Sequence, residues 1–189
     1  MLVNANAVEA HFVGELEFVE KLVVQVMPAR RVIQVGGNVH PDAVMIVFEI
    51  IRQKPLTVID VGHTPDGISQ SLASLKTIYG TDEWILVVGA SLDKKAGEIV
   101  GALAPSFDTI VCTGAHHKGA DAKEIAVAAR NANPHANVHI AASIEDAVDV
   151  SLGLATSLHR RIYVAGGLFL AIEYATIAKG GRARDLNFF

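Results

Sequence analysis

From residue 31 onward the chain repeats one rhythm. A short β-branched run is followed by a glycine-bearing loop and then by apolar positions spaced three and four apart. The runs are RVIQV (31–35), LTVIDV (56–61), WILVVGA (84–90), DTIVCTG (108–114), NVHIAA (137–142) and RIYVAGG (161–167). Most are nearly continuous in Val, Ile and Leu rather than alternating, the signature of strands buried on both faces of a parallel sheet.

The segments between the runs open on helix-start chemistry. Thr64 is placed to cap a helix with Pro65 at its first position, where the missing N–H costs nothing. Asp121 with Glu124, and Ser143 with Asp146, have capping-box spacing. Behind these starts, Ile68, Leu72, Leu75 and Ile78 share one predicted helical face, and Ala147, Val150, Leu154 and Leu158 another. Strand and helix alternate, so the pattern predicts an α/β, Rossmann-like fold: a mostly parallel six-stranded sheet with helices on both faces.

Two segments depart from the rhythm. Residues 7–26 carry a predicted amphipathic helix, with Phe12, Leu16, Val19 and Val23 on one side. HPDAVMIVFEIIRQ (40–53) is apolar nearly all round; as a helix it would be buried or shared with another subunit, which predicts a homo-oligomer. Nothing resembling a linker divides the chain, so residues 1–189 read as one domain: helical segment 1–26, body 27–178 and a solvated tail 179–189.

Composition narrows the function classes. Of 189 residues, 51% are apolar, and the net charge is −4. That is a globular composition without the broad basic field that nucleic acid or an anionic membrane would require. No run is long enough to span a bilayer and no signal peptide is evident, so the expectation is a cytoplasmic protein. The single cysteine, Cys112, falls inside an apolar run and reads as a packed core thiol.

Ligands of open parallel sheets bind beyond the carboxyl ends of the strands, where this sequence collects its unusual polar residues. The run at 56–61 leads through Asp60 to His63; that at 84–90 leads to Ser91, Asp93, Lys94 and Lys95. The run at 108–114 leads to His116, His117 and Lys118, and the last to Gly166 and Gly167. Local structure offers a plainer account of each: carboxylates complement helix N-termini, and HHK can be a solvated loop. His63, His116 and His117 with Asp60 have the right atoms for zinc but no ligand spacing, so no metal is assigned. GGLFLA is not a dinucleotide fingerprint.

Taken in order, IDVGHTPDG, WILVVGASLDKKAGEIVGALAPSFDTIVCTGAHHKGADAKEIA, SIEDAVDVSLGLA and RIYVAGGLFLAIEYA resemble the C-terminal domain of folylpolyglutamate synthase/dihydrofolate synthase, of the Mur-type ligase family. MPARRVIQV (27–35) is similar to the family's Trp-Pro-Gly-Arg lead-in, and the resemblance covers roughly residues 27–178.

The resemblance implies a Mur ligase C-terminal-domain-like fold and a part in ATP- and Mg-dependent joining of an acid to an amino acid. It also implies nucleotide contacts from Arg30, Asp60 and His63, and substrate contacts from Lys94, His116 and Gly167. A guanidinium suits phosphate, and an imidazole can stack on a base or bind a carboxylate.

Three departures bear on this. Thr64 stands where the family has Asn, Lys95 where it has Asp, and Gly167 where it has Ser. No GxxxxGKS or GxxxxGKT phosphate cradle is present in the sequence. The expectation is therefore a stand-alone domain, inactive as a ligase alone, that binds a nucleotide or small anionic ligand or works with a P-loop ATPase domain subunit. The competing expectation is a non-catalytic scaffold that oligomerises through the apolar 43–51 segment.

Overall fold

The computed structural model describes residues 48–80, 82–92 and 96–188. The expected helix in 1–26, the strand at 31–35, Arg30 and Lys94 lie outside these residues.

Among the described residues the sheet has six strands in the order β1-β2-β6-β3-β4-β5. They are β1 (Phe48–Gln53), β2 (Leu56–Asp60), β3 (Trp84–Val88), β4 (Thr109–Cys112), β5 (Asn137–Ile140) and β6 (Arg161–Ala165). β2 through β6 run parallel, and β1 alone is antiparallel, with Phe48 opposite Asp60 and Gln53 opposite Leu56. The helices are α1 (Pro65–Tyr79), α2 (Ala96–Leu103), α3 (Ala122–Ala132), α4 (Ile144–Leu158) and α5 (Leu168–Ala178).

β1 corrects the helical expectation for its part of residues 40–53. A short apolar run has no period that separates a strand from a buried helix. Here Lys54-Pro55 lies between two runs rich in Ile, Val and Leu, and the chain turns back on itself as a hairpin. Phe48 faces the chain's own core at 3% exposure and meets the Tyr163 ring edge-on at 6.2 Å. A charge at Phe48 would therefore act first on folding.

The predicted caps form. Thr64 accepts from Gly67 N–H at 3.2 Å, and Ser143 from Asp146 N–H at 3.1 Å. Asp121 accepts from Lys123 N–H at 2.6 Å. Each satisfies a helix-start donor that would otherwise lack a partner.

α1, α2 and α3 pack on one face of the sheet over Val58, Leu86, Val88, Ile110, Cys112 and Tyr163. The alternate strand positions Ile59, Ile85, Val87, Val111 and Val164 are equally buried, and α4 and α5 pack together against the strands there. In α1, Ile68, Leu72 and Leu75 are buried as predicted, while Ile78 is 37% exposed. In α4 the buried stripe is Ile144, Ala147, Val148, Ser151 and Ala155 rather than the leucine line, and Leu158 is exposed. Small residues let the helix approach α5, where the Ser151 hydroxyl meets the Tyr174 hydroxyl at 2.7 Å.

Cys112 is fully buried, and burial pushes its thiol up to about 12. No helix among the described residues is long and apolar enough to cross a membrane.

Candidate functional site

The carboxyl ends of β2, β3, β4 and β6 lie along one edge of the sheet. Three of the predicted site positions occur on loops leaving that edge, at His63, His116 and Gly167, and Asp60 is the last residue of β2.

Asp60 points inward. It is 1% exposed, and its carboxylate accepts the Tyr163 hydroxyl at 2.7 Å and the Gly62 N–H at 2.8 Å. Burial pushes its pKa above the usual carboxylate range; the bonds from Tyr163 and Gly62 oppose this without reversing it. The same burial, beside the Asp60 charge, pushes the Tyr163 phenol well above its ordinary value. Tyr163 itself is fixed between Phe107, stacked at 6.0 Å, and the edges of Phe48 and Trp84. Asp60 thus holds the backbone of the turn that leads to His63, which stands exposed just before the Thr64 cap.

The loop after β4 is tied down from several directions. Ala120 N–H donates to the Ala90 carbonyl at 2.8 Å, and Leu92 N–H to the Lys118 carbonyl at 2.9 Å, joining this loop to the end of β3. Fully buried Glu173, on α5, accepts the His116 N–H at 2.5 Å and the His117 N–H at 2.8 Å. The His117 ring lies 4.5 Å from Phe169 and 4.9 Å from Phe188, centroid to centroid. Phe188 belongs to the segment expected to be a solvated tail, yet it is 7% exposed. An aromatic ring gains more by covering His117 and Phe169 than by remaining in water.

At β6 the chain leaves through Gly166, whose φ of 126° disfavours any side chain. A Cβ there would overlap the Gly89 carbonyl oxygen, so the ends of β3 and β6 touch through backbone alone. Gly167 starts α5 without a side-chain cap; a Cβ built on it would lie 3.8 Å from the Ser91 hydroxyl.

Three site residues were not anticipated. Tyr163 reads as an ordinary member of an apolar strand, and Phe188 as part of a tail. Glu173 did carry a signal: it is the only charged residue in LFLAIEYATIA, and a lone carboxylate on an apolar helix has to find donors. His63, His116 and His117 do not converge with Asp60 into a metal site. No group of three or more His, Cys, Asp or Glu among the described residues could hold a metal ion. A magnesium ion therefore has no carboxylate cluster here. His63 and His116 stand exposed at the strand ends, and an imidazole is chemistry suited to an anion.

A mostly parallel sheet with helices on both faces defines an α/β domain of the ligase C-terminal type. The chain belongs to the family described as Mur ligase, glutamate ligase domain, whose pattern matches residues 48–167. It is 29% identical over 146 residues to the dihydrofolate synthase/folylpolyglutamate synthase of Mycobacterium tuberculosis, covering 74% of this chain and 29% of that protein. The structure of M. tuberculosis folylpolyglutamate synthase complexed with ADP superposes with a TM-score of 0.57 at 27% identity, over 66% of this chain and 30% of that one. Escherichia coli FolC in complex with DHPP and ADP shares the fold, with a TM-score of 0.59 at 18% identity over 71% of this chain and 31% of that one. The chain thus spans under a third of the length of these relatives.

Proposed function

We propose that this chain binds a nucleotide or a related anionic small molecule at the carboxyl edge of its sheet. In this reading it is the closing domain of an ATP-dependent acid–amino-acid ligase whose phosphate-cradling P-loop belongs to another domain or subunit. The observation that carries the reading is the presentation of His63 and His116 as exposed imidazoles on turns fixed by buried carboxylates. Rigid presentation of a polar group is what a binding edge requires, because little ordering then remains to oppose binding.

His63 would stack on a base or contact a phosphate, and Asp60 would hold its turn. Arg30 would face phosphate, while Lys94, His116 and Gly167 would line the side that receives the incoming amino acid. A nucleotide, when bound, would supply the phosphoryl group that activates a carboxylate. The described residues contribute only binding and orientation. Magnesium is assigned to none of them.

Isothermal titration of the chain with ATP, ADP and folyl substrates tests the reading, with the His63→Ala variant beside it. Measurable heat with at least one ligand, lost in the variant, is expected. No heat with any ligand, together with unchanged melting temperatures, would overturn it.

A further inference from the structure

We propose that Glu173 and His117 are positioning residues: together they clamp the turn after β4 so that His116, and not its neighbour, is the imidazole offered to a ligand. The role of the turn in ligand contact rests on the function proposed above; the clamp itself does not.

Glu173 sits on the most apolar stretch of the fold's last helix and is fully buried. A buried carboxylate is costly unless donors compensate it. Two consecutive backbone N–H groups donate to it, His116 at 2.5 Å and His117 at 2.8 Å. Burial raises the Glu173 pKa, and these N–H groups are the main influence against that rise. Consecutive backbone N–H groups that converge on one anion form a nest of the kind that often receives an external phosphate or carboxylate. Here α5 fills the nest from inside the protein. An incoming anion cannot use it, and the backbone of the turn is pinned instead.

The side chains then divide the labour. The His117 ring is packed against Phe169 and Phe188. Desolvation lowers its pKa, with Lys118 and His116 adding to the effect, so it is held as a neutral packing group. Lys118 follows in the left-handed region at φ 52°, and its carbonyl accepts the Leu92 N–H, which turns the chain back toward β3. His116 is left exposed between these anchors. Neither its backbone nor its neighbour is free to move toward a ligand without breaking a buried charge-assisted contact. The chemistry presented is one imidazole on a rigid turn, suited to the carboxylate or phosphate of a small acid.

Amide hydrogen exchange on the full chain reads the clamp directly. In the native protein, the His116 and His117 amides should exchange at least about tenfold more slowly than unprotected loop amides, as carboxylate-bonded donors do. Glu173→Gln keeps the volume but loses one acceptor. It should bring at least one of those two amides to exposed-loop rates while β3 and β4 amides keep their protection. His117→Phe should preserve loop protection and ligand affinity. His116→Ala should weaken affinity by about tenfold with protection unchanged, the loss expected for one charge-assisted contact.

Rapid exchange of both amides in the native protein would overturn the clamp, whether or not Glu173→Gln folds. So would an affinity loss in His117→Phe equal to that in His116→Ala. If the native chain binds none of the tested ligands, the proposed function falls, and the exchange rates alone decide the clamp.

Discussion

The Asp60 carboxylate accepts the Tyr163 hydroxyl at 2.7 Å across two neighbouring parallel strands, β2 and β6. The pair lies where the core gives way to the carboxyl edge of the sheet: Tyr163 is surrounded by rings, and Asp60 holds the Gly62 N–H of the turn before His63. An acid at the mouth of a strand reads naturally as a ligand contact. Its partners make it a brace for the residue three positions on.

Tyr163→Phe removes the hydroxyl but keeps the ring packing. It leaves the buried Asp60 carboxylate with one fewer donor, and should cost about 1–3 kcal/mol. Urea denaturation should show a lower midpoint with an unchanged slope, because the surface exposed on unfolding is the same.

Gly166→Ala should be among the most disruptive single changes at the edge, because the new Cβ meets the Gly89 carbonyl and φ is 126°. We expect a loss of more than about 2 kcal/mol from strain and displaced backbone. Gly153→Ala is the opposite case. Gly153 is helical and exposed, with nothing within 4 Å of a new Cβ. Removing its conformational freedom should stabilise the protein by about 0.5–1 kcal/mol. Thermal melts of the two variants should move in opposite directions.

The pH dependence of stability separates an exposed acid from the buried ones. Arg160 forms a two-pronged ion pair with Asp108 and holds its carboxyl below the usual range. A lowered folded pKa contributes stability that is present above the unfolded value and lost as pH falls through the folded value. Asp60 and Glu173 are raised, so their contribution has the reverse sign: it is present in acid and lost as pH rises through their folded values. Asp108→Asn should therefore flatten the acid limb of the stability profile. Because the Asp108 side chain is 66% exposed, the change should stay under about 1 kcal/mol. Denaturant titrations from pH 3 to pH 7 check the sign.

Cys112, with its thiol pushed up to about 12 and no exposure, should resist thiol reagents in the native state. A thiolate is the reactive form and needs solvent access. Labelling at neutral pH should follow global unfolding and accelerate with denaturant in step with it. Rapid labelling of the native chain would contradict the packing around β4.

The alternation of apolar runs with capped helical segments was legible without coordinates. So were the caps at Thr64, Asp121 and Ser143, and the buried thiol, because each depends on chemistry within a few residues. The edge that bears the candidate site was legible for the same reason, since strand direction in a parallel sheet sets which loops share it. The inward turn of Asp60 was not legible, because it depends on a tyrosine 103 residues away.

What the sequence determined by itself is the set of elements from β2 onward and the edge at which their polar residues emerge. Periodicity, capping hydroxyls and glycine turns act locally, and local free energies are written in local spacing. The tertiary structure decided three further things. It made residues 48–53 a strand, since an apolar run takes either form until a neighbour pairs with it. It inserted β6 between β2 and β3, bringing Tyr163 to Asp60. And it brought Glu173 under the His116 and His117 amides, 57 and 56 residues distant in the chain, because a buried carboxylate must be satisfied by whatever donors the fold places above it.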